Sequence, residues 1–351
     1  MLITRAPLRI SLGGGGTDLP AYYERFGGMV VSTTIDKFVY VQVQPNGTRS
    51  TQITSADYQT FYRHAAGKPM TWNGELALPR AVLHEFGIDR GLAVFSASEV
   101  PPGTGLGSSS ALTIALVHAI STYLHRAPSR QDIANLACRV ELDKLGAPIG
   151  KQDQFAAAFG GLNAIRFHSG RVDVEPIAVP PSARSLLERR LLLFFTGSAR
   201  DSAAILREQT RATSHDDADT IANLHQIRQA ADDCRACLEA GDVDGIGRLL
   251  HEGWQYKRRL TRGITNRRID ECYAVAREVG ALGGKITGAG GGGFLLLYCH
   301  EAYQEQLTVA MEQLDLKRMD FHFEQLGVTT GAVDWDGWSR SPLQESVPAA
   351  T

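Results

Sequence analysis

Apolar and polar positions alternate over residues 6–12 and stop at four consecutive glycines, Gly13 to Gly16. A period of two is that of a half-buried strand. A strand is therefore predicted there, then a short helix over 20–26 and a return to β-branched and aromatic residues over 29–43, as in strands. Residues 92–98 alternate again, and a Pro/Gly/Ser loop over 99–110 leads into an apolar helix over 111–124. Ser129 with Asp132 three positions later reads as a capping box. It opens a helix that runs to about residue 145 and carries Glu141. Residues 146–161 are loop-rich, with a helix restarting over 153–159, and 191–196 is a continuous apolar strand. Further on, Leu224, Ile227, Ala231, Cys234 and Leu238 recur at threes and fours, which marks an amphipathic helix over 219–240. The pattern repeats over 243–260 and 266–279, and residues 284–298 read strand, glycine loop, strand. The sum is an α+β chain of two lobes, 1–190 and 191–335. Pro180-Pro181-Ser182 is the linker candidate, and the segment 336–351, rich in Ser, Pro and Ala, is expected to be loose.

Composition narrows the partners. Of 351 residues, 43% are hydrophobic and 21% charged, with 36 basic against 38 acidic residues and a net charge of -2. Such a balance demands no nucleic acid and no anionic membrane. No apolar run reaches the roughly 18 residues of a membrane span, and residues 1–10 lack the apolar stretch of a signal peptide. A cytoplasmic location is the expectation. Five scattered cysteines make a poor disulfide framework. Cys234 and Cys237 form a C-x-x-C, a redox pair or half a zinc site in other settings. Here the segment reads as helix and no second cysteine pair follows, which favours a helical face with buried thiols.

Three glycine-rich loops carry the candidate chemistry. The first runs Pro101-Pro102-Gly103-Thr104-Gly105-Leu106-Gly107-Ser108-Ser109-Ser110 and meets an apolar helix at once. Glycines let backbone approach a bulky ligand, and a helix start adds unpaired N–H groups and the positive end of its dipole. Together these make a phosphate cradle, to which Ser108, Ser109 and Ser110 add hydroxyls for phosphate or Mg²⁺. The bland alternative is a flexible loop with a serine cap. There is no G-x-x-x-x-G-K-[ST], and no H-R-D or D-F-G, so neither a P-loop nor a protein-kinase site is present. The second loop spans residues 285–294. Its Gly288, Gly290 and Gly293 match G-x-G-x-x-G, but a strand follows where a dinucleotide site needs a helix. A hairpin closing over a ligand and a bulged structural turn both remain open. The third, residues 9–18, puts Arg9 and Asp18 at the ends of a tight backbone. Asp18 is either an acceptor for substrate hydroxyls or a cap for the helix after it.

In order and spacing these loops resemble those of the GHMP kinases (galactokinase, homoserine kinase, mevalonate kinase, phosphomevalonate kinase). P-x-x-x-G-L-G-S-S over residues 101–109 is the most specific match. Ala6-Pro7-x-Arg9 with Thr17-Asp18 is similar to the galactokinase-type opening, and residues 285–293 to the third motif. The resemblance implies a two-lobed fold, with a ribosomal protein S5 domain 2-like N-terminal lobe, a ferredoxin-like C-terminal lobe, and the active site in the cleft between them. It implies ATP and Mg²⁺, the triphosphate lying on Gly103, Gly105, Leu106, Gly107 and Ser108 to Ser110, and the metal held by Ser109 and Glu141. Asp153, in Gly150-Lys151-Gln152-Asp153-Gln154, resembles the catalytic aspartate of galactokinases, and Arg9 the arginine paired with it. Taken alone, Asp153 is equally an acid placed by the helix dipole, and Glu141 a solvated glutamate. Thr17 and Asp18 would meet sugar hydroxyls, while Gly290 and Gly291 would close over phosphates or substrate.

Within the family, residues 11–20 are closer to D-glycero-D-manno-heptose 7-phosphate kinases than to galactokinases, because Gly15 and Gly16 stand where an acid and a histidine precede Thr-Asp. The implied reaction is phosphorylation of the anomeric hydroxyl of a sugar phosphate, giving the 1,7-bisphosphate. Fucose, galactose and related heptoses or octoses are the alternative sugars. A sugar phosphate needs local cations, for which Lys151 and Arg200 are candidates, each equally readable as a surface charge. The rival readings are a catalytically dead sugar- and ATP-binding regulator, which should have lost Asp153, Glu141, Ser109 or Arg9, and an NAD(P)-dependent enzyme. The helices between 216 and 280 are candidates for internal packing, a homodimer face, or both.

Overall fold

A computed structural model describes residues 1–197 and 202–332. Arg200 and the segment 336–351 lie outside the described residues.

The chain begins with β1 (Leu2–Gly13), paired antiparallel to β2 (Gly28–Pro45). Then come β3 (Ser50–Ser55), β4 (Thr60–Ala65), β5 (Leu92–Ser98), β6 (Leu162–His168) and β7 (Arg171–Pro176). A second sheet follows in the order β11-β8-β10-β9, built from β8 (Leu191–Phe195), β9 (Ala281–Ile286), β10 (Phe294–Cys299) and β11 (Lys317–Met319). The chain then returns to the first sheet: β12 (Phe323–Glu324) pairs with β2, and β13 (Thr329–Ala332) pairs with β1. The last described strands therefore belong to the sheet of the first lobe, although they come after the whole second sheet.

Alternation on β1 sorts its side chains by face. Ala6, Leu8, Ile10 and Leu12 join the main core, while Arg9 and Ser11 are buried on the other face. The unbroken apolar run of β8 has a different cause. Leu191 and Leu193 belong to the main core and Leu192 and Phe194 to a second one, so both faces of this strand are covered. β10 repeats this, with Leu296 and Tyr298 on one side and Leu295 and Leu297 on the other.

The expected helices are present over Pro20–Phe26, Ser108–Tyr123, Gln152–Phe159, Ala218–Ala240, Val243–Lys257 and Arg267–Val279. The Ser129/Asp132 capping box forms, with Ser129 accepting from the Asp132 N–H at 3.1 Å. Its helix ends at Cys138 and passes into a π-helical turn, Arg139–Lys144, that carries Glu141. Pro180-Pro181-Ser182, the expected linker, instead starts the helix Pro181–Arg190 with proline at its first position, where its missing N–H costs no intrahelical bond. Cys234 is buried in Ala218–Ala240 and Cys237 half-buried there; both are free thiols, and burial pushes Cys234 up to about 12. Among the described residues, no helix is long and apolar enough to cross a membrane.

Candidate active site

The glycine loops meet backbone to backbone. Gly105 has φ +83°, and a Cβ there would lie 2.5 Å from the Thr287 carbonyl oxygen. A Cβ on Gly288 would lie 2.6 Å from the Gly105 Cα. The Thr287 hydroxyl donates to the Thr104 carbonyl at 3.2 Å. Only residues without side chains allow this approach, and it joins the first sheet's loop to the second sheet's hairpin. Gly288 and Ala289 line the resulting cavity. Gly290 and Gly291, expected there, turn away: the Gly291 N–H donates to the Ile264 carbonyl at 2.8 Å, and a Cβ on Gly290 would strike Ile264.

The cavity, ≈ 240 Å³, is bounded by Gly103, Gly105, Gly107 and Ser108 to Ser110 on one side and by Arg9, Asp18, Asp153 and Lys257 on the other. The helix Ser108–Tyr123 opens on it with Gly107 as N-cap and no side-chain cap. Its first-turn N–H groups thus face the cavity with the positive end of the dipole. Leu106 does not join them; its side chain is fully buried in the core, and its carbonyl accepts from the Arg9 N–H at 3.0 Å.

Asp153 sits in the first turn of Gln152–Phe159, with its carboxylate 3.3 Å from where a Cβ on Gly107 would be. The Arg9 guanidinium holds it with Nε at 2.8 Å and Nη2 at 2.7 Å, while its Nη1 donates to the Gly105 carbonyl at 2.6 Å. Arg9 is 3% exposed and Asp153 24%, so the acid, not the cation, is the accessible member of the pair.

Asp18 is buried and accepts from the N–H groups of Gly16 at 2.9 Å and Gln152 at 3.2 Å. Burial pushes its carboxyl above the usual range; those N–H groups oppose this and the charge on Asp153 adds to it. Thr17 serves the backbone instead of the cavity. Its hydroxyl bridges the Gly14 and Met29 carbonyls at 2.8 and 2.9 Å and accepts from the Met29 N–H, which fixes the turn that aims Asp18.

Glu141 is 1% exposed. It accepts from Ser110 Oγ at 2.8 Å, from Gln154 Nε2 at 2.7 Å and from the Thr113 hydroxyl. The hydroxyl that reaches it is Ser110's, one residue beyond the expected Ser109, which lines the cavity wall. Burial pushes Glu141 up to about 7 against the bonds from Thr113, Ser110 and Gln154, with Asp153 adding to the rise. Hard oxygens from a buried carboxylate and neighbouring serine hydroxyls suit Mg²⁺.

The sequence reading missed Lys257. It ends the helix Val243–Lys257, is 8% exposed, and donates to the Gly288 carbonyl. Burial lowers it to about 8, with Asp18 and Asp153 opposing and Arg9 adding. A lysine in a helix's last turn ordinarily complements the dipole, so no local signal marks it. Thr113 was more accessible to reasoning, since Ser110 and Thr113 are three apart and share a helical face. A second chamber of ≈ 700 Å³ adjoins the cavity and shares Leu78, Gly103, Ser108 and Ser109 with it; Val39, Tyr58, Leu76 and Leu112 add apolar walls. Lys151 points elsewhere, to a third space described below.

Two family models match the chain: GHMP kinases N terminal domain over residues 76–161, and GHMP kinases C terminal over residues 234–314. The first span contains Glu141, Asp153 and the serine-ended loop; the second contains Lys257 and Gly288. The D-glycero-alpha-D-manno-heptose 7-phosphate kinase of Campylobacter jejuni is 28% identical over 331 residues, 93% of this chain and 97% of that protein. The crystal structure of a D-glycero-D-manno-heptose 1-phosphate kinase from Bacteroides thetaiotaomicron superposes with a TM-score of 0.79 at 27% identity, over 95% of this chain and 100% of that one. The Methanococcus jannaschii mevalonate kinase shares the fold, with a TM-score of 0.71 at 17% identity over 92% of this chain and 98% of that one.

Proposed function

The chain belongs to the GHMP kinase family, and on that premise we propose that it transfers the γ-phosphate of Mg-ATP to the anomeric hydroxyl of a sugar phosphate. The substrate in this reading is D-glycero-D-manno-heptose 7-phosphate, and the product is its 1,7-bisphosphate. One observation carries it: the Arg9–Asp153 pair faces the uncapped mouth of the Ser108–Tyr123 helix across a single small cavity.

The triphosphate lies along Gly103 to Ser110, where main-chain N–H groups and the dipole favour anions. Base and ribose occupy the adjoining chamber with the apolar walls. Mg²⁺ would be held by Glu141 with Ser109 or Ser110, and supplies charge compensation for the phosphates when bound. Asp153 accepts the proton of the attacking hydroxyl. The hydroxyl oxygen forms the new O–P bond as the bond from γ-phosphorus to the β,γ-bridging oxygen breaks, releasing ADP. Arg9 fixes Asp153 and, with Lys257, offsets charge that builds on the transferred group. Asp18 receives sugar hydroxyls beside it. Gln152 Oε1 is buried without a hydrogen-bond partner among the described residues and is available for another. A cytoplasmic location belongs to the same reading, because the donor is ATP.

Asp153→Asn tests it. The amide keeps the shape and loses the proton acceptor, so turnover should fall by about 10³-fold while ATP affinity stays within about twofold. Turnover near the wild-type rate would remove Asp153 as the base. ADP release measured over phosphorylated and free sugars tests the substrate.

A further inference from the structure

A third space opens beside the reaction cavity. Leu19, Ala147 and Ile149 line both, so only this seam separates them. The space measures ≈ 780 Å³. Among the described residues its charged lining is Arg139, Lys151, Arg207 and Arg211 against Glu24 and Asp143. Four cations to two anions is a marked local excess in a chain whose net charge is -2. Three separate segments converge to make it: Arg139 comes from the π-turn, Lys151 from the residue before the Gln152–Phe159 helix, and Arg207 and Arg211 from one face of the helix Ser202–Ser214.

The seam is built on the substrate-facing residues themselves. The Lys151 N–H donates to the Asp18 carbonyl at 3.3 Å, and the next N–H, of Gln152, donates to the Asp18 carboxylate. The same short segment thus aims Asp18 and Asp153 into the reaction cavity and the Lys151 ammonium the other way. That ammonium stands 5.2 Å over the Tyr23 ring. The π-turn divides likewise, with Glu141 lining the reaction cavity and Arg139 the cationic space. Arginines from two elements around one open-sided space suit a phosphate monoester, whose oxygens accept forked N–H pairs. Among the described residues, neither the Arg139 nor the Arg211 guanidinium is engaged in an ion pair with a carboxylate.

We propose that this space is the subsite for a phosphate carried by the substrate at the end remote from the hydroxyl that is phosphorylated, with Arg139, Lys151 and Arg211 as its cations. The proposal rests on the sugar-kinase reading and adds to it a reason for selecting sugar phosphates over free sugars. A sugar whose hydroxyls reach Asp18 crosses the Leu19–Ile149 seam and ends among these cations.

The test is an Arg139→Gln/Arg211→Gln double variant assayed with D-glycero-D-manno-heptose 7-phosphate and with the unphosphorylated heptose. The expected result is a rise in KM for the phosphorylated sugar of about tenfold or more, the scale of losing charge-assisted bonds. The KM for ATP and the kcat/KM for the free heptose should stay within about twofold. Inorganic phosphate should compete with the phosphorylated sugar in the wild type and lose that effect in the variant. An unchanged KM for the phosphorylated sugar, or an equal loss on both sugars, overturns the subsite. Calorimetry with Asp153→Asn protein separates the two claims. If no sugar yields ADP, the kinase reading fails. Heptose 7-phosphate binding that weakens when the two arginines are removed would still uphold the subsite, and absent binding, or binding indifferent to them, overturns it.

Discussion

At the end of the Val243–Lys257 helix, Lys257 brings a buried ammonium up to Asp18, Asp153 and Arg9. Its pKa is lowered by burial to about 8 from 10.5. Between those values the unfolded chain holds a proton that the folded chain does not, so this group makes stability rise with pH across that window. Activity should run the other way, because the cation beside the transferred group disappears as pH passes about 8. A pH profile of kcat/KM should therefore fall above about pH 8. Lys257→Met should lower the plateau by about tenfold or more and abolish that falling limb. A limb at the same pH in Lys257→Met would assign it to another group. Glu141 gives a separate readout. Glu141→Gln removes the anion and leaves one acceptor oxygen where Ser110 and Thr113 donate to two, so half-saturating Mg²⁺ should rise by about tenfold or more; an unchanged metal requirement would leave Glu141 a purely structural acid. Arg9, Asp18, Glu141 and Asp153 were singled out in the sequence through the resemblance to GHMP kinase motifs, and all four line the cavity. Lys257 was not, because its partners come from three segments far from it in sequence, the Arg9–Asp18 loop, Asp153 and Gly288.

Among elements, the contact between the two glycine loops decides how the cavity is formed. The sequence showed glycines in both loops but left open whether residues 285–294 made a ligand-covering hairpin or a structural turn. The answer depends on a partner backbone 183 residues away, which no local pattern encodes. Gly105→Ala tests the contact directly. The new Cβ would meet the Thr287 carbonyl at 2.5 Å, with φ at +83°, a conformation that L side chains rarely adopt. The two loops must separate, so the KM for ATP should rise by about tenfold while the chain stays folded. A variant with wild-type KM for ATP would show that the loops need not touch for the nucleotide to bind. Other elements were legible for identifiable reasons. The capping box at Ser129 is local chemistry and formed as read. Pro180-Pro181-Ser182 was read as a linker, yet proline fits at a helix's first position, and only the following turn, with Ala183 and Leu187 buried, distinguishes the two.

For the whole molecule, the return of the chain to its first sheet sets the stability on which the cavity depends. Two lobes were legible from the change in periodicity near residue 190, but β12 and β13 are two and four residues long, too short to show a period. Their placement is fixed by packing. A Cβ on Gly327 would lie 2.1 Å from the Ala158 carbonyl oxygen, and one on Gly160 would lie 2.1 Å from the Gly327 nitrogen. The Val328 N–H donates to the Ala157 carbonyl at 3.0 Å. The returning segment is thus clamped against the end of the Gln152–Phe159 helix, whose other end carries Asp153. Phe323 joins the main core beside Phe321 and Val328. Phe323→Ala should cost about 3–5 kcal/mol, a large share of the roughly 5–15 kcal/mol that holds a typical domain. It does not line the cavity, so urea unfolding should move to markedly lower concentration while the KM for ATP at low temperature stays near wild type. If instead ATP affinity falls and stability does not, the closing strand acts on Asp153 through its helix and not through the core.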